Sequence, residues 1–109
     1  MLNINGRQIE TDAEGFLANL DDWSEELAQC LAENDQMTLT DRHWKVLRWI
    51  RDYYAENGVA PNLRIMNKVL GKELGEDYRD KKQLFDLFPY NPAKQGARYA
   101  GMPKPTGCV

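Results

Sequence analysis

Chemistry in this 109-residue chain turns first on two cysteines, Cys30 and Cys108, and one histidine, His43. A thiol reacts as its thiolate, so its surroundings decide what it does. Cys30 falls between Leu27 and Leu31 in an apolar stripe, where burial raises a thiol's pKa and leaves it a small hydrophobe. It is expected to be inert core. Cys108 stands one place from the carboxy terminus, behind Pro103, Pro105 and Gly107, with nothing amphipathic around it to bury. It reads either as an incidental terminal thiol or as a nucleophile. Lys104 would favour its thiolate and the terminal carboxylate of Val109 would oppose it, so activation is left to a partner's positive pocket. His43 has no Cys, His or carboxylate at metal-ligand spacing and is expected to be a partly packed helix residue. No glycine-rich phosphate loop or nucleophile elbow is present, so neither metal nor cofactor is expected.

Those residues must be positioned by a small frame. The length suits one domain, with enough apolar and aromatic bulk for one core. Two cysteines cannot supply a disulfide framework, no basic region followed by an apolar stretch opens the chain, and no apolar run approaches a membrane span. The expectation is a soluble protein of a reducing compartment, the cytoplasm, with no membrane partner.

The expected fold is mainly α (α+β). Alternation from Leu2 to Thr11 around Asn5-Gly6 predicts a β-hairpin with a tight turn. Asp21 or Asp22 is read as capping a first helix along Trp23, Leu27, Cys30 and Leu31. Thr40 caps a second, through Trp44, Leu47, Ile50 and Tyr54 to Asn57-Gly58, with apolar residues on two sides that mark it as the central helix. Pro61 is placed in the first turn of a third, ending at Gly71 or Gly75, and Asp80 caps a fourth that Pro89 stops. Asn91-Pro92 opens a fifth that finishes near Gly101. The result is about five helices with a helix-turn-helix-like core in a single domain, residues 1–101. Residues 102–109 read as a flexible C-terminal arm carrying Cys108, which in polyproline-like extension would span roughly 25 Å.

The net charge of -3 conceals two opposed parts. Residues 1–41 hold ten acids against Arg7 alone, whereas beyond Asp86 the side-chain charges are only Lys94, Arg98 and Lys104. These three are expected to steer and dock a partner protein. A rival reading takes Arg42, Lys45, Arg48, Arg51, Arg64 and Lys68 as the basic face of a helix-turn-helix regulator that binds nucleic acid; the acidic first third counts against it.

The run Leu87-Phe88-Pro89, Pro92-Ala93-Lys94-Gln95, Ala100-Gly101-Met102-Pro103-Lys104-Pro105 and the penultimate Cys108 resembles the sulfur-relay family of DsrC and TusE proteins. The likeness extends to Gly6-Arg7-Gln8-Ile9-Glu10-Thr11-Asp12, Gly15-Phe16-Leu17, Trp23-Ser24-Glu25 and His43-Trp44. The resemblance implies a mostly helical fold with a small hairpin. It also implies that the branch acting with dissimilatory sulfite reductase carries a second arm cysteine where this chain has Ala97, so the chain looks like the TusE branch. Cys108 would then be the sulfurtransferase residue, a persulfide carrier. It would be loaded by a donor complex of the TusBCD type and unloaded to a tRNA-thiolating acceptor of the MnmA type, alone or with its tRNA, for wobble 2-thiouridine. A DsrC-like trafficking or regulatory role in sulfur oxidation or sulfite reduction is the alternative within the family.

Overall fold

The computed structural model describes residues 2–4 and 6–105, with the backbone alone for Leu2 and Asp77. Cys108 and the rest of 106–109 lie outside the described residues, as does Asn5 of the expected turn. Strands β1 (Leu2–Ile4) and β2 (Arg7–Ile9) pair antiparallel with Leu2 opposite Ile9. Gly6, at φ +81°, takes the left-handed conformation a tight hairpin turn needs.

Five helices follow: α1 (Glu25–Asn34), α2 (Asp41–Asn57), α3 (Leu63–Leu74), α4 (Lys81–Leu87) and α5 (Pro92–Tyr99). Two of the starts differ from the sequence expectation. Residues 20–22 form a separate 3₁₀ turn, and Ser24 caps α1 by accepting from Leu27 N–H at 3.1 Å. Trp23 is therefore outside the helix and not part of its stripe. Asn62, not Pro61, heads α3, its side-chain oxygen accepting from Ile65 N–H, because a short polar side chain satisfies an orphan donor that proline leaves unpaired.

The hub is α5 rather than α2: α5 packs against α1, α2, α3 and α4. Its Ala93, Gly96 and Ala97 are buried, and a Cβ at Gly96 would stand 2.8 Å from Ile50 Cδ1. Small side chains let the neighbours close in. Around them lie Leu27, Val46, Leu47, Ile50, Met66, Leu70, Leu84 and Phe88, all buried; burying each such side chain contributes about 1.5–3 kcal/mol.

His43 is buried in the first turn of α2. Its Nδ1 accepts from Thr40 N–H at 3.1 Å and its Nε2–H donates to Leu87 C=O at 2.8 Å, a tautomer set by these partners. Phe88 meets its ring edge-on. The histidine thus ties the start of α2 to the end of α4, and burial holds its pKa below the usual 6.5. Cys30 is less enclosed than the stripe suggests. It packs against the core but is half-buried, in a shallow depression with Asn3, Ile4 and Gln29.

Candidate functional site

The tail begins where α5 ends. Ala100 caps the helix and Gly101 follows at φ +72°. Gly101 N–H reaches Arg98 C=O and Met102 N–H reaches Ala97 C=O at 2.9 Å, the paired bonds of a Schellman motif. Beyond it the chain stays against the domain: Met102 and Pro105 are buried, and Lys104 Nζ lies 2.9 Å from the Glu14 carboxylate. The first four residues of the expected arm thus contribute two buried side chains and an ion pair. Their apolar surface and the acidic N-terminal third supply the reason.

A polar network fixes the neighbouring face of α5. Tyr99 O–H donates to Asp35 Oδ2 at 2.6 Å, Arg98 pairs with the same carboxylate, and Gln95 Nε2–H donates to Tyr99 Oη at 2.8 Å. The other end of Gln95 accepts from Tyr90 N–H. Burial, and then the bond to Asp35, push the Tyr99 phenol up to about 12. Arg98 also lies along Gly15, where a Cβ would stand 3.1 Å from Arg98 Cδ.

The three cations expected to dock a partner therefore differ in their engagement. Arg98 is bound to Asp35 and Lys104 to Glu14, whereas Lys94 has no ion pair among the described residues. Lys94 and Arg98 line one groove of about 410 Å³ with Glu14, Phe16, Asp35, Tyr90 and Gln95. Lys104 meets its rim through Glu14. Tyr90, 66% exposed, is the large apolar side chain on this face that charge reasoning missed. Its signal was the Pro-Tyr-Asn-Pro run that forces a turn.

Further residues missed by sequence reasoning hold the root of the tail. Trp23 Nε1–H donates to Tyr99 C=O at 2.8 Å, and Arg51 Nη1–H donates to Ala100 C=O at 2.7 Å. The basic face of the rival reading is broken by such engagements. Arg51 is spent on the tail, Arg42 lies over the Tyr78 ring, and Lys45 and Arg48 share a cleft with Asp52, Glu56 and Glu73.

Comparison with known proteins agrees with this architecture. Residues 3–109 match the family described as DsrC like protein. The sulfurtransferase TusE of Yersinia pestis is 45% identical over 109 residues, all of both chains. That of Escherichia coli is 42% identical, again over the whole of both. Among solved structures, Allochromatium vinosum DsrC superposes with a TM-score of 0.89 at 45% identity, covering 99% of this chain and 96% of that one. The oxidised gamma-subunit of dissimilatory sulfite reductase (DsrC) from Archaeoglobus fulgidus gives 0.83 at 41%, covering 99% and 98%. With the match running through nearly every residue, hairpin to tail, this chain belongs to the DsrC-like protein family.

Proposed function

We propose that this protein is a sulfur carrier that works through Cys108 in a relay ending in tRNA thiolation. The observation that carries the reading is the full-length likeness to proteins named sulfurtransferase TusE in a chain with a cysteine one place from its end. The chemistry is a balanced exchange. The Cys108 thiolate attacks the outer sulfur of a donor persulfide; the donor's S–S bond breaks, a new one forms in Cys108–S–SH, and the donor departs as its thiolate. An acceptor thiolate then repeats the step on Cys108–S–SH and restores the Cys108 thiolate. No net oxidation occurs, so the carrier needs no redox cofactor.

Anchorage at Pro105 changes the reach this chemistry has. Cys108 is three residues on, so its Cα can lie at most about 11 Å from that of Pro105, against roughly 25 Å for a fully free arm. A partner of the TusBCD or MnmA type must therefore bring its own thiol close to the domain. The groove with Tyr90 and Lys94 is the surface it would meet, with Arg98 and Lys104 setting the charge around it. Where the resemblance places a second arm cysteine in the sulfite-reductase branch this chain has Ala97, and the lack of a thiol there favours single-thiol relay over arm redox chemistry.

Replacing Cys108 by Ser in the producing cell tests the end point. Wobble 2-thiouridine in digested tRNA should fall to background, while Cys30→Ser leaves it unchanged. A normal nucleoside content in the Cys108→Ser strain refutes the tRNA assignment.

A further inference from the structure

Helix-terminal carbonyls usually face water. At the end of α5 two of them are taken by side chains from distant elements: Tyr99 C=O by the Trp23 indole and Ala100 C=O by Arg51. The Arg51 guanidinium also lies 3.9 Å from the centroid of the Trp23 ring. The third layer is backbone. A Cβ on Gly101 would stand 2.2 Å from Trp23 Cδ1, so only glycine fits against the indole, and its φ of +72° needs glycine as well.

Arginine suits this place because its plane can stack on an aromatic face while an edge N–H still donates; lysine cannot do both. The stack is not needed to end the helix, since the Schellman bonds already do so. What it adds is a fixed bearing. The chain at Gly101 is held to the segment before α1 through Trp23 and to α2 through Arg51, so its direction of departure is tied to two other parts of the domain.

We propose that Trp23 and Arg51 are positioning residues for sulfur transfer, aiming the segment that carries Cys108 at a docked partner. The inference rests on the relay reading above. The two residues act through the root of the tail, at the Tyr99 and Ala100 carbonyls.

The test uses full-length proteins in a Cys30→Ser background: Trp23→Phe, Arg51→Met and Arg51→Lys. Trp49→Phe is the control, a half-buried tryptophan whose indole bonds Glu73 on the other side of α2. Loading of Cys108 from a persulfidated donor of the TusBCD type is followed by mass spectrometry. Alkylation of Cys108 by iodoacetamide is measured in parallel. For Trp23→Phe and Arg51→Met, kcat for loading should fall about 10-fold with KM within about 2-fold of wild type and alkylation unchanged. Arg51→Lys should fall between, and the control should match wild type. Wild-type loading by both Trp23→Phe and Arg51→Met overturns the inference, as does alkylation that slows in step with loading or a change in KM alone. Should Arg51→Met not fold, Trp23→Phe decides, since it keeps an aromatic ring and loses the N–H. A parent protein that takes no sulfur overturns the relay reading, and this inference with it.

Discussion

Six of the eight residues of α5 are buried, against two of the twelve of α3. Yet α3 has the more bulky apolar residues. Leu63, Met66, Val69 and Leu70 recur at helical spacing with Arg64, Lys68 and Lys72 exposed, so one face makes the core and the other makes solubility. In α5 the inward residues are Ala93, Gly96 and Ala97, together with Gln95 and Tyr99, whose polar ends are satisfied by Asp35, Tyr90 and Met37. Its burial comes from small residues and hydrogen bonding, with Tyr99 as its one large buried side chain. The helix that launches the tail is thus the most enclosed, and the segment from Gly101 to Pro105 leaves from the best-fixed part of the domain.

The sharpest way to break that contrast is to add volume to α5. Ala97→Leu should destabilise the fold by about 3 kcal/mol, because Ala97 is fully buried on a helix that packs against four others; chemical denaturation measures it. A loss below about 1 kcal/mol would mean that α5 is loosely packed. Tyr99→Phe should cost about 2 kcal/mol near neutral pH by removing the bond to the Asp35 carboxylate and the one accepted from Gln95. It should also change the alkaline limb. The phenol is raised to about 12 from 10, so its contribution is complete below pH 10 and is lost as pH rises towards 12. Tyr99→Phe should abolish that fall, as pH-dependent unfolding would report.

His43 offers a comparable effect away from α5. Its folded pKa lies below 6.5, so the unfolded chain takes the proton first. The contribution is complete above pH 6.5 and declines as pH falls through the folded value. Burial is what opposes the charged imidazolium, with the nearby Arg42 charge adding to it, and His43→Gln should flatten this acid limb. On α3, Lys68→Leu should change stability by less than about 0.5 kcal/mol. A larger loss there would erase the distinction between the two helices.

Much of the frame is legible in the sequence wherever a local signal sets the structure. Thr40 and Gly58 bound α2, Asp80 heads α4, Asn91-Pro92 opens α5, and Gly6 turns the hairpin. The misassigned starts show local signals in competition. Ser24 outbids two aspartates because the latter fall in their own 3₁₀ turn, and Asn62 outbids Pro61 because it can accept a hydrogen bond. The centrality of α5 was hidden since apolar counting gives no weight to glycine and alanine. The setting of the candidate site was hidden for a different reason. Arg98 finds Asp35 63 residues away, Lys104 finds Glu14 90 residues away, and Trp23 finds Tyr99 at a separation of 76. Charge alone marked the cations of the tail, but only the fold distinguishes Arg98 and Lys104, which are paired, from Lys94.

The central claim is that sulfur travels on Cys108 of a tail held at its root by the domain. Peptide mass spectrometry of the protein after exposure to a persulfidated donor tests it most directly. The account predicts one added sulfur atom, located on the peptide containing Cys108, absent from Cys108→Ser and retained in Cys30→Ser. Sulfur on Cys30 instead, or equal loading of the Cys108→Ser protein, would contradict it.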